Sequence, residues 1–398
     1  MAQALRTIAS VVRDDFDTSF FVFRPKALLR AAHFFGQHFK ANCLFAVKTN
    51  PEAVVLTHLY HAGIRRFDVA SIDEVAHVRR LFHDAELYFM HPVKPRHAIR
   101  RAYFEFGVRH FSLDSERELE KILQETDFAQ DLTLHVRLSI PNTYAELTLA
   151  EKFGCNLQEA PQLIKKVSEK VARVGICFHA GSQCMHPDAY RIAIRMVAEV
   201  VEQSEVQLDF FNVGGGFPSI YPGMIPPYME DYFEAIHHEF ARIPHYEKMT
   251  LLAEPGRALV AECMSLIVRV ELRKGNMLYI NDGTYGSLFD AGTPRFIYPV
   301  KLICDEEIYS RDLAAFSFYG PTCDSLDYMK GPFYLPNDTE EGDFIEIGQM
   351  GAYGRTMATR FNGFHPSDTL VYVKDEPLMT MYRDDEEISD EQLEIIAA

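Results

Sequence analysis

The chain has no apolar run approaching the ~20 residues that a membrane span requires, and residues 1–17 hold no apolar core of about 7–15 residues such as a secretory signal carries. We therefore expect a cytoplasmic protein. Seven cysteines (Cys43, Cys155, Cys177, Cys184, Cys263, Cys304 and Cys323) form no Cys-x-x-Cys pair. That excludes the usual zinc spacings and a disulfide framework, and no metal site is expected. An odd count of thiols points to a reducing compartment. Positive charge is scarce: 40 Lys and Arg face 57 Asp and Glu, a net charge of −17. Such a surface disfavours nucleic acid and anionic membrane as partners and suits a small cationic substrate. Internal repeats and low-complexity segments are lacking too.

What is present is an ordinary globular composition, 47% hydrophobic and 24% charged over 398 residues, long enough for two domains. Short β-rich runs alternate with helical patterns between about residues 24 and 256. Eight runs can be counted: Cys43–Val47, Phe67–Ala70, Leu87–Met90, Val108–Leu113, Leu132–Leu138, Val174–Phe178, Leu208–Val213 and Thr250–Ala253. Segments between them, such as Ile72–Phe82, Ser115–Leu123 and Ala189–Val201, space apolar residues three and four apart, as helices covering a sheet do. Eight such units in this length predict a (β/α)8 barrel over 24–258, with an open doubly wound sheet as the alternative. After Arg257 the pattern changes to strands without long helices: Ser265–Leu272, Asn276–Ile280, Val300–Ile303, Phe316–Phe318, Asp343–Ile347 and Thr369–Val373. This predicts an antiparallel β domain over 259–398, joined by 1–23, whose run Phe20–Phe23 adds an edge strand or enters the barrel. Asp384 to Glu394 reads as a solvated acidic tail.

In a barrel of this kind the chemistry collects where strands end. Lys48 follows the first run, Asp68 lies in the second with Glu74 just beyond it, His91 follows the third, Arg137 lies in the fifth, His179 after the sixth, Gly214-Gly215-Gly216 after the seventh and Glu254 after the eighth. Any one of these alone is more commonly a capped or solvated strand end, and Lys48 alone a lysine reaching out to solvent. Together they suggest more. A desolvated lysine is a Schiff-base nucleophile. Three successive glycines let backbone N–H groups form an anion nest, and Gly256 and Arg257 add a second turn to it. His179 brings a flat ring and Ser182 a hydroxyl, while Glu254 can pair with a ring nitrogen. An amine, a stacking ring, a phosphate nest and a carboxylate are the parts pyridoxal 5'-phosphate needs.

The motifs carry a resemblance. Phe45-Ala46-Val47-Lys48-Thr49-Asn50, Phe67-Asp68-Val69-Ala70-Ser71, Phe178-His179-Ala180-Gly181-Ser182, Val213-Gly214-Gly215-Gly216-Phe217-Pro218, Glu254-Pro255-Gly256-Arg257, Asn281-Asp282-Gly283-Thr284-Tyr285-Gly286, Gly320-Pro321-Thr322-Cys323-Asp324-Ser325-Leu326-Asp327, and Gly351-Ala352-Tyr353 with Phe361-Asn362-Gly363-Phe364 follow one another in order. Across nearly its whole length the chain resembles the fold-type III, pyridoxal-phosphate-dependent basic amino-acid decarboxylases, most closely the ornithine decarboxylases. The resemblance implies an alanine racemase-like barrel with a C-terminal β domain. It also implies conversion of ornithine to putrescine and carbon dioxide, with lysine to cadaverine as a possible second reaction.

By the same resemblance, Lys48 would carry the cofactor, His179 would stack on it, Glu254 would pair with its ring nitrogen, and Asp68 and Arg137 would organise the lysine side. Ser182, Gly214, Gly215, Gly216, Gly256, Arg257 and Tyr353 would hold its phosphate. Cys323 would return a proton after carbon dioxide leaves, and Asp324 would take the substrate's distal ammonium, with Tyr285, Tyr353 and Phe361 lining the substrate. Cys323 and Asp324 would come from the partner of a homodimer, with Lys152 pairing Asp327 across the interface. Two departures stand out. Asn212 replaces the aspartate common in relatives, with at most a structural effect expected, and a second substrate acid lacks a clean counterpart, leaving Asp290 as its substitute. Diaminopimelate decarboxylase, alanine racemase and a non-catalytic regulator are the alternatives.

Overall fold

The computed structural model describes residues 5–14, 16–141, 143–147, 152–303 and 309–382; Cys304 and the acidic stretch Asp384–Glu394 lie outside them. Contacts group the chain into two units, one of residues 32–218 and 226–258, the other of residues 1–31, 219–225 and 259–398. The start of helix Pro25–His38 and the stretch 219–225 thus go with the second unit.

In the first unit eight parallel strands close on themselves. They are Asn42–Ala46, Arg66–Val69, Glu86–Phe89, His110–Leu113, Thr133–Arg137, Arg173–Cys177, Phe210–Asn212 and Thr250–Ala253. Each pairs with the next in chain order, and the last returns to the first with Leu252 opposite Asn42. Closure excludes the open sheet. Leu44, Tyr88, Met90, Cys177 and Leu252 form one buried cluster.

The helices follow the predicted amphipathic segments: Ile72–Leu81, Glu116–Glu125 and Asp188–Ser204. Ser71 caps the first of these by accepting the Glu74 N–H at 3.2 Å, and Glu74 reaches back to accept the Ala70 N–H at 2.7 Å. Glu74, placed on the rim by the sequence pattern, thus anchors a helix start.

Phe217, directly after the glycines, is packed edge-on against Phe35 at 5.7 Å and stacked on Tyr190 at 5.2 Å between ring centroids. Aromatic contacts of this kind fix the exit of the glycine turn.

The second unit is an eight-stranded sheet built from Phe20–Phe23, Met264–Lys274, Met277–Ile280, Val300–Ile303, Leu313–Tyr319, Tyr328–Pro336, Phe344–Ile347 and Leu370–Tyr372. It is mixed rather than purely antiparallel. Met277–Ile280 runs parallel to Leu313–Tyr319, and Phe20–Phe23 parallel to Leu370–Tyr372. Phe20–Phe23 also pairs antiparallel with Met264–Lys274, so it is flanked on both sides instead of forming an edge. Tyr328–Pro336 is a strand the pattern did not reveal, because Gly331, Pro332 and Pro336 read as breakers.

Candidate functional site

The predicted barrel residues stand on successive strand ends of the first unit. Strand Asn42–Ala46 passes into a single 3-10 turn, Val47–Thr49, which delivers Lys48. Lys48 is exposed, so the chain around it does not supply the desolvation expected behind an apolar strand. Its surroundings are electrostatic instead. Asp68 and Glu254 are both buried, and each faces Lys48 and Arg137, two acids with two cations.

Burial pushes the Asp68 carboxyl up while Lys48 and Arg137 pull it down. Glu254 is pushed up to about 7, first by burial and then by the Asp68 charge, against the pull of Arg137, Lys48 and a hydrogen bond from Asn212. Arg137 keeps a buried Nε with no hydrogen-bond partner among the described residues.

His179 accepts the Gly181 N–H on Nδ1 at 2.9 Å, which leaves its proton on Nε2. Burial, with Arg137 and Lys48 nearby, holds the imidazole well below its ordinary pKa, so it is a neutral ring.

The three glycines after Phe210–Asn212 are required by close approach. A Cβ on Gly215 would come within 2.7 Å of the Glu254 carbonyl oxygen and 3.0 Å of His179 Nε2. Gly216 has φ +113°, and a Cβ there would meet the Gly181 carbonyl at 2.5 Å. Gly256 packs so tightly on Thr49 that a Cβ would collide with its Oγ1. Arg257 is buried beside that turn, and Ser182 is half-buried in the short strand Ser182–Cys184.

One contributor, Tyr190, went unremarked in the sequence, and another, Asn212, was noted there only as a departure. Tyr190, fully buried, donates its hydroxyl to the Gly215 carbonyl at 3.0 Å. Asn212, fully buried, donates Nδ2 to Glu254 Oε1 at 2.8 Å and accepts the Gly214 N–H on Oδ1 at 2.8 Å. Asn212 thus touches the site's own acid, Glu254.

A second group of predicted residues gathers in the second unit. Tyr285 donates to Asp324 Oδ2 at 2.7 Å, and its ring lies 4.8 Å from that of Phe361. Cys323 is an exposed free thiol whose backbone N–H is held by Asn362 Oδ1 at 3.1 Å. Asp327 shapes this loop: it is buried, and its two oxygens accept from Thr284 N–H and Oγ1 and from Thr322 N–H and Oγ1 at 2.7–3.1 Å. All four of these donors belong to its own chain.

Asp290 is buried in the short helix Phe289–Gly292. Tyr353 adopts left-handed backbone, φ 63°, at the start of helix Gly354–Met357. Side chains enter that region at a cost of about 1–2 kcal/mol, a constraint that gathers at functional positions.

The barrel residues fit pyridoxal phosphate: a lysine, a neutral flat ring, a glycine cradle that no side chain could share, an unpartnered guanidinium Nε and a buried carboxylate. Among the described residues no group of acids, histidines or cysteines could hold a metal, and no helix is long and apolar enough to cross a membrane.

Comparison with known proteins agrees. Residues 26–261 match the family model described as pyridoxal-dependent decarboxylase, pyridoxal binding domain. The chain is 29% identical over 347 residues to a lysine/ornithine decarboxylase of Selenomonas ruminantium, covering 85% of each. It is 30% identical over 374 residues to an ornithine decarboxylase of Panagrellus redivivus, covering 85% of this chain and 82% of that one. The structure of a Vibrio vulnificus lysine/ornithine decarboxylase complexed with putrescine superposes with a TM-score of 0.78 at 28% identity, over 92% of this chain and 98% of the other.

Proposed function

The chain belongs to the pyridoxal-dependent decarboxylases, and from that premise we propose that it removes the α-carboxylate of ornithine as carbon dioxide, leaving putrescine, and treats lysine in the same way. The observation that carries the substrate class is Asp324. Its carboxylate is oriented by Tyr285 and by the Leu326 N–H at 2.9 Å, next to the exposed thiol of Cys323. A fixed carboxylate suits a distal ammonium and repels the second carboxylate of diaminopimelate. Ornithine and lysine differ by one methylene, worth about 1–3 kcal/mol, so both are accommodated.

Pyridoxal phosphate, when bound, supplies the sink for the electron pair left behind by the departing carboxylate. Lys48 would carry it, the Gly214–Gly216 turn with Ser182, Gly256 and Arg257 would hold its phosphate, and the neutral His179 ring would cover its face. Glu254, whose carboxyl burial lifts to about 7, would pair with the cofactor's ring nitrogen. Asp68 and Arg137 set the charge around the Lys48 amine. Cys323 returns a proton to the substrate's Cα.

In this reading Cys323 and Asp324 serve the Lys48 of a second copy, making a homodimer with shared sites. Support comes from the apolar side chains exposed around them, Leu326 at 73%, Phe361 at 44% and Phe364 at 45%, which a second copy would cover. A cytoplasmic setting accords with six free thiols among the described residues.

The test is borohydride reduction of the holoenzyme followed by peptide mass analysis, with carbon dioxide release measured from ornithine, lysine, arginine and diaminopimelate. We expect the adduct on Lys48 and turnover of ornithine and lysine. An adduct on another residue, or turnover of diaminopimelate in preference to both, would overturn the assignment.

A further inference from the structure

Asn212 closes a ring of hydrogen bonds between the two ends of the cofactor cradle. Its Nδ2 donates to Glu254 Oε1 and its Oδ1 accepts the Gly214 N–H, each at 2.8 Å. The Glu254 N–H in turn donates to the Gly214 carbonyl at 2.8 Å. Strand pairing fixes the bases of this ring, because Phe210–Asn212 runs parallel to Thr250–Ala253 with Asn212 opposite Leu252. Two residues past Leu252 stands Glu254, and two residues past Asn212 stands Gly214. The amide has one usable orientation, since the Gly214 N–H demands its oxygen and so turns its NH2 group to the carboxylate.

We propose that Asn212 is a positioning residue that holds Glu254 with a donor unable to titrate, so that this hydrogen bond keeps its donor at every pH. The inference rests on the reading of Glu254 as partner of the ring nitrogen.

The physical alternative at this position is an acid of nearly the same shape. An aspartate would accept the Gly214 N–H equally well, but it can donate to Glu254 only while it keeps a proton. Two carboxylates at this separation hold one proton between them and lose it as the pH rises. After that loss the pair repels and Glu254 is no longer held. Lys48, Asp68, Arg137, Cys177 and His179 are the other titratable or charged groups around Glu254. They are common to both forms, so a ratio between the forms removes their own titrations.

The experiment follows release of the cofactor from wild-type and Asn212→Asp holoenzyme by its visible absorbance, from pH 6 to pH 9, without substrate. The expected ratio of release rates is near one at the acid end and rises by about tenfold or more at the alkaline end, as for loss of a charge-assisted hydrogen bond. Release at pH 6 at the wild-type rate also shows that the variant is folded. A ratio that stays near one throughout, or one that is large and equal at every pH, would overturn the proposal. Failure of the underlying reading shows separately, as absence of the Lys48 adduct in the wild type.

Discussion

The Tyr285 hydroxyl donates to Asp324 Oδ2 at 2.7 Å, while the Leu326 N–H occupies Oδ1 at 2.9 Å. Both bonds hold the Asp324 carboxyl below its ordinary pKa, and the backbone bond is the larger cause. The carboxylate is thus charged and turned in one direction before any substrate arrives, which lowers the entropy lost on binding.

Removing that charge should weaken ground-state binding of the diamine end. Asp324→Asn is expected to raise the KM for ornithine by about tenfold or more, and Tyr285→Phe by a smaller factor with the charge intact. Steady-state kinetics on both variants checks this. An unchanged KM in Asp324→Asn would remove Asp324 from the substrate site.

Tyr190 supports the Gly214–Gly216 turn through its hydroxyl. Its hydroxyl draws the Gly215 carbonyl toward the interior, and in a trans peptide the Gly216 N–H then points the opposite way. Burial lifts the phenol well above its ordinary pKa, so it remains a donor. Tyr190→Phe leaves that buried carbonyl unpaired, at about 1–3 kcal/mol. We expect faster cofactor release and a lower phosphate affinity of the apoenzyme; equal affinities in a fluorescence titration would contradict this.

Glu262 makes the second unit pH-sensitive. It is buried, with Oε2 accepting from Thr380 Oγ1 at 2.6 Å and Oε1 from the Met381 N–H at 2.7 Å. Burial pushes its carboxyl from the ordinary 4.5 up to about 7, against the pull of both bonds. The raised folded value means that the proton favours the folded state. The contribution is complete below pH ~4.5 and disappears as the pH rises through about 7, about 3 kcal/mol in all. Glu262→Gln keeps the geometry without the charge, so it should gain on the wild type between pH 5 and pH 8. Thermal midpoints at the two pH values test this, and a constant difference between the proteins would refute it.

Subunit mixing addresses the shared sites. Lys48→Ala and Cys323→Ala proteins should each be inactive, yet a hybrid of the two has one site with both residues intact. Up to about a quarter of wild-type activity is expected on statistical exchange of dimers. No recovery, with exchange demonstrated by mass analysis, would place each complete site within one chain.

Much of this molecule was written in local pattern. Eight apolar runs such as Cys43–Val47 and Thr250–Ala253 announced the barrel because a strand buried on both faces must be apolar along its length. Lys48, His179, the glycines and Glu254 were legible for a related reason: parallel strands put every strand end on one rim. Tyr328–Pro336 was hidden because its glycine and prolines mimic a loop, and Phe20–Phe23 could not show which two neighbours, Met264–Lys274 and Leu370–Tyr372, would flank it. The exposure of Lys48, the saturation of Asp327 and the burial of Asp290 depend on what packs around each side chain, which only the folded chain decides. Asn212 shows the same division. Its identity is local, but its two partners are set by parallel register between strands about 40 residues apart, and register is a property of the closed sheet.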